Sequence, residues 1–556
     1  MAGLVKTVQD DFSAGAFPSV AHELVPDNGL TDAINALISD DGLPYRRGGS
    51  AYKSNANFGA GGLRFLWDGY LAGGQRTVFA DATHWGVLAV DDTTPTDLGT
   101  AIHFTDPSKA ASMNGMLFFP GGAIYGGSRK TSAVSIAGEV IVANEGSPIV
   151  QTANPPTTPW NSGSIDVGML LRLKTGLGDH RYYAVKSIDN DHQVTLASPY
   201  LGPSFVDFID FEFVPVGSLS QVATIYFVAG NRLIACDGDR AYESNIGDPN
   251  TFTADEYQRV PAGAQILGGE GIRDTGLLFT TAGVWAIGNL AFRLTDANGS
   301  MQQRFEQVSR DLIVWSWPGI TQWGTRLIVP AVDGVWLVDS ISAPERITTG
   351  LDELYRSYVD AGHHTGIAAV FNNHYFLPIL DSSNALIDLL VCRLAPTRRG
   401  HAFGWTRFSG DGATVSALAV RAATTTARQP ALLGAHRTNG RVLRLPYHIP
   451  SATDADASAF QMELVSRQWF SGNLVKNFVA KIRARIASTG TTAAAWQEED
   501  GGWTSLSPDA AAATLTGEPA KWNVGKLRRA IRFRLRSSGP FVLHSLEVFI
   551  RQSGRQ

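Results

Sequence analysis

Arg326-Leu-Ile-Val-Pro-Ala-Val-Asp-Gly-Val-Trp-Leu-Val338 is the stretch on which the fold turns. Apolar residues run up to an Asp-Gly pair and resume directly after it, the pattern of two strands joined by a tight turn. The same unit recurs at Arg76–Val90, Gly115–Tyr125, Thr224–Cys236, Gly276–Ile287, Gly366–Pro378 and Ala431–Leu445. Once one insertion is removed the spacing is about 40–60 residues, the period of four-stranded propeller blades. An irregular series of sandwiches is the competing reading. We expect an all-β chain: a β-propeller of about six blades with an inserted small β-barrel and a C-terminal β-sandwich.

Composition agrees with this pattern. Of 556 residues 58 are Gly, and only 17% are charged, against ~25% in an average soluble protein. A coiled coil needs far more charge. Disorder needs low hydrophobicity with high net charge, whereas this chain is 44% hydrophobic with net charge −5. Two cysteines cannot form a disulfide framework. The start lacks the apolar core of a signal peptide, and no apolar run is long enough to span a membrane. We therefore expect synthesis in a reducing cytoplasm and no membrane anchor. The net charge hides a split: residues 461–556 hold 14 Lys+Arg and 7 Asp+Glu, and residues 1–460 hold 32 and 44. A basic tail follows an acidic body.

The expected organisation is an N-terminal arm (1–60), the first part of the propeller (61–128), the inserted barrel (129–220), the second part of the propeller (221–452) and the sandwich (459–556). Within the arm, Thr31 can cap a helix, and Ala33, Ile34, Leu37 and Ile38 would form one apolar stripe on it. Gly42 stands where a helix would end, so a short helix is expected over 30–42. In the insertion, three alternating strands follow a proline-rich loop at Pro155–Trp160. A linker at Ser451–Ser458 precedes the sandwich. There Lys476–Ile486 and Arg528–Arg536 alternate apolar and basic residues, so one face of each strand is apolar and the other basic.

Catalytic motifs are missing: no G-x-S-x-G, no H-E-x-x-H, no paired C-x-x-C and no phosphate-binding G-x-x-x-x-G-K-[ST]. His363-His364 are adjacent and point apart. Asp189-Asn-Asp191 and Asp237-Gly-Asp239 read as turns rather than calcium loops. Trp285, Trp336 and Trp405 read as core. We expect neither enzyme activity nor a cofactor. Arg528, Arg529, Arg532, Arg534 and Arg536 are a candidate phosphate-contacting face. The strand brings no aromatics to interleave with them, so docking on an acidic protein is at least as good a reading.

Phe12-Ser-Ala-Gly-Ala-Phe-Pro18, then Asn35, then Asp41-Gly-Leu-Pro-Tyr-Arg-Arg-Gly-Gly-Ser50, with the hairpin series behind them, resemble the β-propeller virion proteins of tailed bacteriophages. The likeness is greatest to the tail nozzle, or tail tubular, proteins of short-tailed phages. In that family the arm precedes an Arg-x-Gly strand entering the propeller, and Arg46-Arg-Gly48 holds that place here. The inserted segment is similar to modules common in phage virion proteins. The resemblance implies a structural virion protein in the tail, forming a ring, a homohexamer, below the portal and adaptor. The implied partners are itself, portal-adaptor and other tail proteins, tail fibres, and DNA passing through the lumen without sequence-specific binding. On this reading Asn35, Arg46, Arg47, Arg528, Arg532 and Arg534 are expected assembly contacts. A hub or minor tail protein of a long-tailed phage and a receptor- or glycan-binding propeller are the alternatives, with a hydrolase behind them. Removing residues 1–60 should leave a folded, assembly-defective protein if the arm docks on a neighbour, or an unfolded one if the arm closes the propeller.

Overall fold

In the computed structural model, residues 5–552 are described, apart from scattered short gaps and longer ones at 126–133, 154–158, 175–181, 215–222, 291–304, 424–428, 449–453, 455–459, 470–476 and 511–519. Residues 155–158 of the proline-rich loop Pro155–Trp160, and all of the 451–458 linker except Asp454, therefore lie outside the described residues.

The seven hairpins fall in seven different sheets, and the successive strands of each blade pair antiparallel. Among the described residues seven such blades are present, against the expected count of about six. Local chemistry sets the turns. At the tip between Ala369–Phe371 and His374–Leu380, Asn372 and Asn373 take φ of +48° and +59°, the left-handed pair that a two-residue hairpin needs. Neighbouring blades meet through buried polar contacts. Arg421 of the last blade pairs with Asp68 of the first at 3.0 Å, both buried. Trp317 donates its indole N–H to Gly269 O at 3.0 Å, and Tyr375 its hydroxyl to Gly319 O at 2.8 Å. Between the first two blades the Phe65 and Phe119 rings pack edge to face at 5.4 Å.

Two glycines show a use of the residue beyond turns. A Cβ on Gly271 would lie 1.9 Å from Val228 O, and one on Gly366 2.0 Å from Ser416 O. Both sites are where the backbone of one blade approaches the next, so a side chain there would force the blades apart.

The insertion between the second and third blades is a closed six-stranded barrel running from Val134–Ala143 to Phe205–Val214. Trp160 is fully buried in it, edge-on to Phe211 and Phe213 at 5.8 and 5.3 Å. The C-terminal sandwich packs two sheets around Trp469, Ile482, Trp522, Phe533 and Val548. One sheet is built on Asn477–Ser488, Ala520–Arg528 and Phe541–Gln552, the other on Met462–Ser466, Thr492–Gln497, Thr504–Ala510 and Arg532–Ser537.

The N-terminal sixty residues weave these bodies together. Val5–Gln9 and the hairpin Ala36–Ile38/Pro44–Arg46 extend the first sandwich sheet. Gly29–Ile34 pairs antiparallel with Met462–Ser466 of the second sheet and, on its other edge, joins Gly404–Phe408 of the sixth blade in parallel. One eleven-stranded sheet thus runs from propeller to sandwich. Ala51–Tyr52 is the outermost strand of the seventh blade, beside Val442–Arg444. The chain start therefore closes the blade made by residues 415–444.

The helix expected over 30–42 is absent. Those residues form Gly29–Ile34 and Ala36–Ile38, broken at Asn35, whose φ is +56°. Leu30, Thr31, Ala33, Ala36, Leu37 and Ile38 are all buried. A strand covered on both faces reads as a near-continuous apolar run, which also contains helical spacings. Pairing on both edges outweighs helix propensity here.

Candidate assembly site

Three of the expected contacts, Asn35, Arg46 and Arg47, meet at the junction of propeller, N-terminal strap and sandwich. The left-handed backbone at Asn35 aims its amide across the junction. Its Nδ2 donates to Ser409 Oγ at 3.0 Å and Gln461 O at 2.8 Å; its Oδ1 accepts from Ser409 N and Arg47 Nε at 2.8 and 3.0 Å. Arg47 grips Asp454 through both terminal nitrogens at 2.9 and 3.0 Å and donates to Ser409 O and Gly48 O. With the bond to Asn35, all five guanidinium N–H groups of Arg47 are used. The Arg46 and Arg47 guanidiniums lie 3.9 and 3.7 Å from the centre of the Phe460 ring, and Arg46 also donates to Phe460 O at 2.7 Å. Burial, then the adjacent Arg47, push the Arg46 pKa down to about 10, against the pull of Asp454.

Asn35, Arg46 and Arg47 are 1%, 0% and 0% exposed. They are internal fastenings and offer a neighbouring subunit no surface, which corrects the expectation of assembly contacts. The reason is partner chemistry: Asp454 and Phe460, both far along the chain, supply the charge and the ring that let two arginines be buried.

The run Arg528–Arg536 is not one strand. Ala520–Arg528 belongs to the first sandwich sheet and Arg532–Ser537 to the second, so the run is divided between two sheets. Arg528 ends its strand opposite Asn477; its side chain and Arg529 lie outside the described residues. Arg532 is 8% exposed and donates to Gln497 Oε1 at 2.7 Å. Arg536 pairs with Glu463 at 2.5 Å. Arg534 sits 4.5 Å from the Trp503 ring centre, and burial, then Arg536, lower its pKa. An aromatic does interleave with the basic face, contrary to expectation, because Trp503 comes from a different part of the chain.

A larger basic surface covers the outside of the first sandwich sheet. Lys481, Arg483 and Arg485 alternate along one strand, and register places Phe549 beside Lys481 and Glu547 beside Arg483. Lys6 and Val8 of the first strand stand on the other side of Phe549 and Glu547, and Lys521 stands opposite Arg483. Glu547 is 3% exposed, with Lys6 at 3.0 Å and Arg485 and Arg483 at 3.8 and 3.9 Å. The Lys481 and Arg483 alternation was visible in the sequence. The contribution of Lys6 was not, since its neighbours lie more than 470 positions away.

A cleft of about 270 Å³ opens between the N-terminal hairpin and the last two blades. Arg393, buried, pairs with Asp40 at 2.6 Å and donates to Ile38 O at 3.0 Å. His374 shares a 2.8 Å bond with Asn372 O, and burial depresses its pKa to about 4. Burial lifts Tyr45 to about 12.

Among the described residues, no group of three or more His, Cys, Asp or Glu is placed to hold a metal. No helix among them is long and apolar enough to cross a membrane. Cys236 and Cys392 are buried and free, and burial raises both thiol pKa values. Asp189 accepts from Ser187, Gln193 and Thr195 within its own hairpin, as a turn residue does. Trp405 is 1% exposed in one core cluster, while Trp285 and Trp336 are partly buried against another.

The fold defines an all-β protein, a β-propeller carrying an inserted barrel and a C-terminal sandwich. No family model matches the chain, and no curated protein matches its sequence. Among solved structures it is similar to a chain of the mitotic checkpoint complex, with 10% identity, a TM-score of 0.32 and coverage of 71% of this chain and 93% of that one. It is also similar to the Pan2 WD40 domain of Neurospora crassa, with 10% identity, a TM-score of 0.32 and coverage of 74% and 98%.

Proposed function

We propose that this protein is a structural component of a bacteriophage tail, one subunit of a homohexameric nozzle or tube ring that conducts and retains DNA below the portal and adaptor. The observation that carries this reading is the location of the sequence signature. Phe12, Asn35, Arg46 and Arg47 are all buried, and the last three fasten propeller to sandwich by side-chain bonds, next to the continuous sheet that Gly29–Ile34 makes between the two bodies. A part that holds pressurised DNA needs its bodies to move as one, and a shared sheet with a satisfied buried ion pair resists shear between them. The charge split supports the same reading. An acidic body facing a lumen repels phosphate and lets DNA slide without sticking. The role is mechanical, and the neighbours are other copies and other tail proteins.

An electron-microscopy map of the intact particle tests this. The expected result is a ring of this chain in the tail, with its lumen lined mainly by carboxylates. Absence of the chain from the tail would overturn the proposal, and a lumen lined by Lys and Arg would overturn the sliding mechanism.

A further inference from the structure

The inserted barrel carries an apolar strip on its outside. Val206 and Phe208 are 64% and 68% exposed and stand directly opposite Val142 and Val140 of the adjoining strand. Leu201 and Ile149 of the same barrel segment are also exposed, at 62% and 42%. Uncovered apolar area of this kind marks a docking surface. Its setting is acidic: residues 134–214 hold 9 Asp+Glu and 4 Lys+Arg, and Glu145, Asp207 and Asp210, on or just past the same two strands, are exposed.

The complementary chemistry is on the same chain. The outer face of the first sandwich sheet has Phe549 and the 39%-exposed Val8 among Lys6, Lys481, Arg485 and Lys521. We propose that the barrel strip of one copy seats on this basic sheet face of the next copy, apolar centre on apolar centre and acidic rim on basic rim. The two patches differ, so the contact is heterologous and propagates head to tail, making a ring when the rotation closes. The inference rests on the ring reading and adds which surfaces meet. Phosphate backbone is the other polyanion that a basic face attracts. Glu547 puts a carboxylate among these cations, which disfavours phosphate, and Phe549 and Val8 suit an apolar partner.

The test uses the full chain in two charge-altered forms, Phe208→Glu and the pair Arg485→Glu with Lys521→Glu. Mass photometry reads assembly, and circular dichroism confirms folding; Val206→Ser with Phe208→Ser is the milder barrel variant. Each form alone should be monomeric. An equimolar mixture should give dimers and nothing larger, because each form keeps one intact patch and a single productive contact remains. Variants that assemble like the unmodified protein, or a mixture that stays monomeric, would overturn the pairing and leave the ring reading standing. Loss of binding to a fluorescent oligonucleotide with self-assembly intact would assign the face to DNA and also overturn it. An unmodified protein that is monomeric in solution and in the particle would remove the ring reading itself.

Discussion

At the junction of propeller and sandwich, Arg47 is fully buried and every guanidinium N–H has an acceptor. On the outer face of the sandwich, the Arg485 side chain is 63% exposed and reaches Glu547 only at 3.8 Å. The two regions use the same side chain for opposite ends. The junction arginine is desolvated, so its value depends on keeping every partner; removing one leaves a buried charge uncompensated. The surface arginine stays hydrated, contributes little to folding and remains available for a partner. A charge count treats both alike, and only burial and partners separate them.

The comparison breaks most completely if the strap is removed. Deleting residues 1–52 takes away a blade-closing strand, the link between propeller and sandwich, and both junction arginines. We expect loss of cooperative unfolding in calorimetry; a folded, merely assembly-defective product would show that the strap is dispensable. Next in size is Arg47→Ala, or Asp454→Ala, for which we expect a loss of about 3–5 kcal/mol in denaturant melts. Arg47→Lys should recover little of it, since an ammonium cannot reproduce the bidentate geometry. A change under about 1 kcal/mol would place the junction in the class of exposed pairs.

His374 gives a smaller, pH-dependent effect beside the same strap. Its folded pKa of about 4 lies below the ordinary histidine value of 6.5, so between these values the unfolded chain binds a proton that the folded chain does not. Stability is therefore full above pH 6.5 and declines as pH falls toward 4, by up to about 3 kcal/mol. Urea melts of His374→Gln across that window should show a flatter pH dependence than the unmodified protein; identical slopes would mean the imidazole is solvated. The smallest effect belongs to the surface. Arg485→Ala should change stability by no more than about 0.5 kcal/mol, and a larger loss would move Arg485 into the same category as Arg47.

The blades were legible because their signal is local. Alternating apolar runs and Asp-Gly or Asn-Asn tips define a hairpin within about a dozen residues, and each hairpin read this way lies in a separate sheet. The stretch over 30–38 was not, because burial on both faces erases the alternation that marks a strand. The junction was half legible: Asn35, Arg46 and Arg47 stood out as a group, yet their role did not. Arg47 finds Asp454 407 positions away, and no spacing rule reaches that far. The division of Arg528 from Arg532 escaped for the opposite reason, since continuous alternation conceals a crossover between sheets.

The sequence by itself determined the all-β class, the repeated hairpin, the inserted barrel and the split of charge, because strand periodicity and turn chemistry act between near neighbours. Tertiary structure alone decided which strands close the ring, that the chain start stitches propeller to sandwich, and which arginines are fastened inside and which face outward. Those outcomes depend on desolvation and on partners brought together only by folding, and neither is written in any short stretch of chain.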